Sequence, residues 1–143
     1  MTPIRTFIIG SSAFFSGMEG YVPKDIDELN IMDEFPFYFN VLNGRKNGRD
    51  VFFYRNMNKE DFIKDTLKSG VTLRAGKFLV PEFAEYLGMT IRDLRKLHSF
   101  FNRMDEKHRY EGVIYRAYLE NGDFYLTDEQ RQAAYDEYKK ARE

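Results

Sequence analysis

The chain reads as an α+β fold: a small mixed β-sheet with interleaved helices (α/β in character), followed by a C-terminal helical bundle. Two observations carry this reading. Apolar and aromatic strand-like runs bounded by Gly and Asn dominate residues 1–74, whereas apolar residues at helical spacing with helix start and stop signals dominate residues 75–143. We therefore expect an α/β unit over 1–74 and a helical bundle over 75–143, packed as one compact protein, with the join near "KSGVTLRAGK".

Each element has a local reason. "RTFIIG" is a short apolar strand ending at a glycine, and "SSAFFSGM" follows as a short helix with Ser11 or Ser12 placed to cap it. "DIDELNIM" has Ile26, Leu29 and Ile31 among polar partners, as suits a strand with a functional edge. "FPFYFNVLNG" and "RDVFFYRNM" are aromatic and β-branched runs separated by Asn43-Gly44 and Asn47-Gly48, a strong hairpin signal. "NKEDFIKDTLKSG" is a helix from an Asn58 cap to a Gly70 stop. Pro81 opens a helix closed by Gly88, and Thr90 caps one in which Ile91, Leu94, Leu97, Phe101 and Met104 recur. "YEGVIYRAYLENG" ends at Gly122, and the last helix starts with a Thr127–Gln130 capping box, with acids early and lysines late.

Composition narrows the chemistry. The 143 residues are enough to bury a core, and 14 Phe and 10 Tyr, with no Trp, must supply its bulky side chains. Basic and acidic residues balance at 22 and 23 overall, with 10 of each in 1–74 and 12 against 13 in 75–143. That balance argues against whole-molecule attraction to nucleic acid or anionic membrane, so phosphate chemistry would need a local cluster. The absence of cysteine excludes disulfides and thiolate metal sites. The run Phe7–Phe15 is broken by Gly10, Ser11 and Ser12 and lacks a cleavage site, and no segment approaches a membrane span. A cytoplasmic protein with no membrane partner is expected.

The chemistry-bearing feature is "KDIDEL". On a strand, Asp25 and Asp27 project to one face, where two carboxylates repel unless a cation joins them. Hard oxygen ligands suit Mg²⁺, which completes its shell with water and phosphate. Upstream, Gly10-Ser11 sits where a strand turns into a helix, a position at which backbone N–H groups can cradle phosphate. The same residues have plainer readings: "PKD" is good turn chemistry, and Gly10-Ser11 suits a strand end with a helix cap.

The order Ile9-Gly10-Ser11, thirteen residues, then Asp25-Ile26-Asp27 resembles the signature of the nucleotidyltransferase superfamily, the DNA polymerase beta-like fold, in its minimal members. The resemblance spans residues 5–56, about a third of the chain, and departs from the pattern at Lys24, Glu28 and Arg49. It implies Mg²⁺-dependent transfer of a nucleoside monophosphate from a nucleoside triphosphate. Asp25, Asp27 and a third acid on a neighbouring strand, best matched by Asp50, would be the catalytic residues and would hold two magnesium ions. Gly10 and Ser11 would bind the triphosphate. The acceptor (small molecule, protein or RNA) stays open. The departures suit an alternative, a catalytically degenerate domain of this fold that binds or regulates, with a protein partner. A third reading is an unrelated α+β binding protein in which the paired acids form a turn.

Further groups are weaker pointers. Arg45, Lys46 and Arg49 form a basic hairpin tip, and Arg92, Arg95, Lys96 and Arg103 lie opposite an apolar stripe, with Lys107 and Arg109 beyond; both read as solvated faces, the alternatives being a phosphate contact near Asp50 for the first and a triphosphate or nucleic-acid backbone site for the second. His98 and His108 are read as having no carboxylate at ligand spacing and are expected to be structural or exposed, with no metal. Tyr110, Tyr115, Tyr118, Tyr135 and Tyr138 are expected to pack.

Overall fold

A computed structural model describes residues 2–23, 26–69, 76–101 and 105–142. The fold is α+β, a four-stranded mixed sheet followed by a helical region. The chain forms two compact units, Met1–Asn58 and Lys59–Glu143.

In the first unit, β1 (Arg5–Ile9), β2 (Ile26–Met32), β3 (Val41–Lys46) and β4 (Arg49–Arg55) lie in the order β1-β2-β4-β3. β1 and β3 run antiparallel to their neighbours β2 and β4, and the central β2/β4 pair is parallel. One sheet face is apolar: Phe7, Ile9, Leu29, Ile31 and Tyr54 share it and are almost completely buried. The strand alternation that the sequence displays therefore points at a real core.

The hairpin turns at Asn47-Gly48, where φ is 53° and 75°. Two central residues with positive φ make the type I′ turn that matches strand twist, and Asn and Gly adopt that region most readily. The other candidate, Asn43-Gly44, lies inside β3. The aromatic run before β3 is not strand. Instead Arg55, at the end of β4, gathers it: Nη1 donates to the Phe35 carbonyl at 2.9 Å, Nη2 to those of Phe37 and Phe39, and Nε to Asn40 Oδ1 at 3.0 Å. The guanidinium also sits 5.2 Å from the centre of the Phe35 ring.

The short α1 (Gly10–Phe14) starts earlier than expected. Ile9 occupies the cap position and no side chain caps the helix, so neither Ser11 nor Ser12 does so. The reason is Gly10, whose φ of 65° turns the chain directly from strand into helix and carries both serines inside it.

In the second unit, α2 (Lys59–Ser69), α3 (Pro81–Leu87), α4 (Ile91–Leu94), α5 (His98–Phe101), α6 (Arg109–Asn121) and α7 (Asp128–Lys140) appear in order. Helix α2 belongs here rather than with the sheet, which moves the division from the expected 74/75 to Asn58/Lys59. Its Phe62 packs edge-on to Phe83 of α3 at 5.6 Å, and its Lys59 pairs with Asp93 of α4 at 3.0 Å. The Gly70 stop and most of the expected join lie outside the described residues, as does Met104.

The single helix expected after Thr90 is instead α4 and α5 joined by a 3₁₀ turn, Arg95–Leu97. Leu94, Leu97 and Phe100 are buried at three-residue spacing, which a 3₁₀ turn brings onto one line. Both capping boxes, Thr90 with Asp93 and Thr127 with Gln130, form in full. Gly88 and Gly122 end α3 and α6 with left-handed caps at φ of 73° and 72°. Phe101 stacks on Tyr115 at 4.5 Å, and the buried Tyr118 donates to the Leu79 carbonyl at 3.4 Å. Among the described residues no helix is long and apolar enough to cross a membrane.

Candidate functional site

The strand registers build the site. Ile9, the last residue of β1, lies opposite Asp27. Asp27 lies opposite Asp50 across the parallel β2/β4 ladder, and Asp50 lies opposite Arg45 across the hairpin. One row thus crosses the whole sheet: Ile9, Asp27, Asp50, Arg45. Residues in register on neighbouring strands share a face, so the two aspartates stand abreast at about the 4.8 Å spacing of strands. They share the face of the buried row and sit at its end. Asp27 is only 6% exposed, and its Oδ1 is buried. Asp50 is half-buried and receives Arg45 Nη1 at 3.0 Å on Oδ1.

Gly10 and Ser11 follow immediately on Ile9, so the expected phosphate turn begins one residue beyond the partner of Asp27. Ser11 Oγ accepts a hydrogen bond from the Tyr21 hydroxyl at 3.3 Å, and its carbonyl accepts from the Phe15 N–H at 2.9 Å. Asp25 lies outside the described residues. Among the described residues no three His, Cys, Asp or Glu side chains converge as a metal cluster. The structure therefore brings together Asp27 and Asp50, two of the three expected acids, beside the Gly10-Ser11 turn.

Two abreast carboxylates, one of them buried, suit a divalent ion chemically: they are hard donors whose mutual repulsion a cation removes. Asp27 and Asp50 are the described residues that would hold it. In this structure Arg45 offsets part of that negative charge at Asp50.

The opposite sheet face carries a polar chain that the sequence pattern did not single out. The Thr6 hydroxyl donates to Asn30 Oδ1 at 2.7 Å, and Asn30 Nδ2 donates to Glu28 Oε2 at 3.1 Å. Arg49 Nη1 pairs with Glu28 Oε1 at 3.1 Å. Beside it opens a cleft of about 320 Å³ bounded by residues of β1, α1, β2 and β4 and of the α1–β2 connection. Once the turn is at Asn47-Gly48 rather than at Asn43-Gly44, the other candidate the sequence offered, local geometry sets Arg45 opposite Asp50. The Arg49–Glu28 pair needs the parallel β2/β4 register, which no local signal encodes.

His108 does have a carboxylate beside it, contrary to expectation: its Nδ1 contacts Oδ2 of Asp105, three residues earlier, while His98 is exposed, its ring 5.7 Å from that of Tyr115. Lys96 pairs with Asp93 at 3.7 Å, while Arg103 lies outside the described residues. Tyr110, Tyr115, Tyr118 and Tyr135 are buried. Burial pushes the Tyr118 phenol well above its ordinary range and raises Tyr115, the latter opposed by the charge of Arg95. Comparison with protein-family models, curated proteins and solved structures finds no match to this chain.

Proposed function

We propose that the chain is a nucleotidyltransferase that moves a nucleoside monophosphate from a nucleoside triphosphate to an acceptor hydroxyl, aided by magnesium. The observation that carries this reading is the register of Asp27 with Asp50 beside the turn at Gly10. It supports the reading because two strands of different origin in the chain each contribute an acid to one point, next to a backbone turn suited to phosphate.

Asp27 and Asp50, with Asp25, would hold the magnesium. When bound, magnesium supplies positive charge against the triphosphate and makes the acceptor hydroxyl more acidic. Gly10 and Ser11 bind and orient the triphosphate through backbone N–H groups. Asp50 takes the acceptor proton on a carboxylate oxygen, after exchanging its Arg45 contact for substrate. The acceptor oxygen then bonds to the α-phosphorus, and the bond to the bridging oxygen breaks. Pyrophosphate leaves with that electron pair.

The pair Arg45–Asp50 favours a second reading, a domain of this fold that binds a triphosphate without transferring it. Two experiments separate them. Calorimetric titration with ATP, with and without Mg²⁺, tests for metal-dependent triphosphate binding, which both readings expect. Incubation with each labelled triphosphate and a cell extract then tests transfer. Label incorporated by wild type and lost in Asp27→Ala and Asp50→Ala supports the enzyme, whereas binding without transfer supports the second reading. Absence of metal-dependent binding defeats both.

A further inference from the structure

We infer that the cleft on the opposite sheet face is a second binding site, for a small amphipathic anion: an apolar or aromatic body bearing one phosphate or carboxylate. Its anion contact, Arg49, is distinct from Asp27 and Asp50, although Tyr21 of its lining also donates to Ser11 Oγ. Strand alternation directs Ile8, Ile26 and Arg49 away from the face of Asp27 and Asp50.

The size of the cleft decides the scale of the ligand. About 320 Å³ is at the small end of ligand pockets, which suits a metabolite-sized molecule and not a polymer. Its lining decides the polarity. Ile8, Pro23 and Ile26 supply apolar wall, Tyr21 an aromatic ring, and Ser12 and Ser16 hydroxyls. Among the described residues, Arg49 is the one charged residue on the lining.

Arg49 is also held in position before any ligand arrives. Its Nη1 is engaged by Glu28, whose other oxygen accepts from Asn30, itself only 4% exposed and anchored by Thr6. The guanidinium carries five N–H donors in a planar fork suited to carboxylate or phosphate oxygens. The Arg49 side chain is 44% exposed, so solvent reaches it. A pre-positioned guanidinium loses little conformational freedom on binding, which is where affinity for a small ligand is usually lost. A purely structural Arg49–Glu28 pair would account for the charge balance but not for a partly apolar cleft beside it.

The test is an amide-resolved NMR titration of the full chain with phenyl phosphate and benzoate, alongside inorganic phosphate and benzyl alcohol. Saturable shifts centred on Ile8, Ser12, Ser16, Tyr21, Ile26 and Arg49 are expected from phenyl phosphate, benzoate or both, and whichever binds identifies the anion. Inorganic phosphate and benzyl alcohol should bind more weakly, each lacking one half of the ligand. Arg49→Gln should weaken binding about tenfold, the usual worth of one charge-assisted contact. Arg49→Lys keeps a cation for Glu28 but loses the fork, and should also weaken binding. Ile8→Phe, at an exposed strand position, should block the cleft. Scattered or absent shifts with both aromatic anions, equal binding of inorganic phosphate, or wild-type affinity in Arg49→Lys would overturn the inference.

Discussion

The in-register aspartates make a sign prediction that runs against the usual expectation for removing a charge that has a partner. At a strand spacing of about 5 Å, two carboxylates repel by about 3 kcal/mol at an effective dielectric of ~20, and by less than about 1 kcal/mol in bulk water. Asp27 is buried and Asp50 half-buried, so the repulsion falls between those limits. Arg45 attracts Asp50, but its side chain is 58% exposed, and such pairs contribute about 1 kcal/mol at most. In chelator, Asp50→Asn should therefore leave stability unchanged or raise it by about 1 kcal/mol. Arg45→Ala should lower it by about 1 kcal/mol, because the repulsion then has no offset. Magnesium should reverse the order. An ion binding only the folded state adds about 2.7 kcal/mol at ~100 times its Kd, an increment wild type should show and Asp50→Asn should lose. Arg45→Ala should bind magnesium more tightly than wild type. Urea denaturation with and without Mg²⁺ reads all of these. If Asp50→Asn costs about 2 kcal/mol or more in chelator and magnesium stabilises it as much as wild type, the pair is not a metal site and the electrostatic reasoning is wrong.

Three further outcomes follow from particular contacts. Arg55→Lys should destabilise the first unit by about 2–4 kcal/mol, nearly as much as Arg55→Ala, since one ammonium cannot span the carbonyls of Phe35, Phe37 and Phe39; urea midpoints would show it. Asp93→Ala should cost about 1–2 kcal/mol by opening the Thr90 box and releasing Lys59. Burial raises the Asp93 pKa, but hydrogen bonds from the Thr90 backbone, Lys59 and the Thr90 hydroxyl outweigh it, leaving the folded value below 3.8. Its contribution is thus complete above the unfolded value and lost as pH falls through the folded one, an acid-limb step that Asp93→Ala should lack in pH-dependent melting. Gly76→Ala would drive a Cβ into overlap with Oε1 of Glu111, a residue 1% exposed, so thermal melting should report a loss of about 1–3 kcal/mol.

Local chemistry alone made much of this architecture legible. The alternation of Phe7 and Ile9 with exposed neighbours, Asn47-Gly48 as a turn, Gly88 and Gly122 as helix ends, and the Thr127–Gln130 box all rest on contacts a few residues apart, which sequence encodes directly. The expected helix caps at Ser11 or Ser12 failed because a positive-φ glycine overrode side-chain capping. The helix after Thr90 divides at the 3₁₀ turn Arg95–Leu97 although Leu94, Leu97 and Phe101 keep helical spacing and are buried, so the periodicity did not reveal the break.

The sequence on its own determined the α+β class, the charge balance that denies a whole-molecule polyanion field, and the candidacy of Asp27 and Asp50. Tertiary structure decided which strands are neighbours. The parallel pairing of β2 with β4 sets Asp27 beside Asp50 on one face and Glu28 near Arg49 on the other. That register comes from burying Leu29, Ile31 and Tyr54 together, a balance of apolar area over residues more than twenty positions apart, and no short stretch of chain contains it.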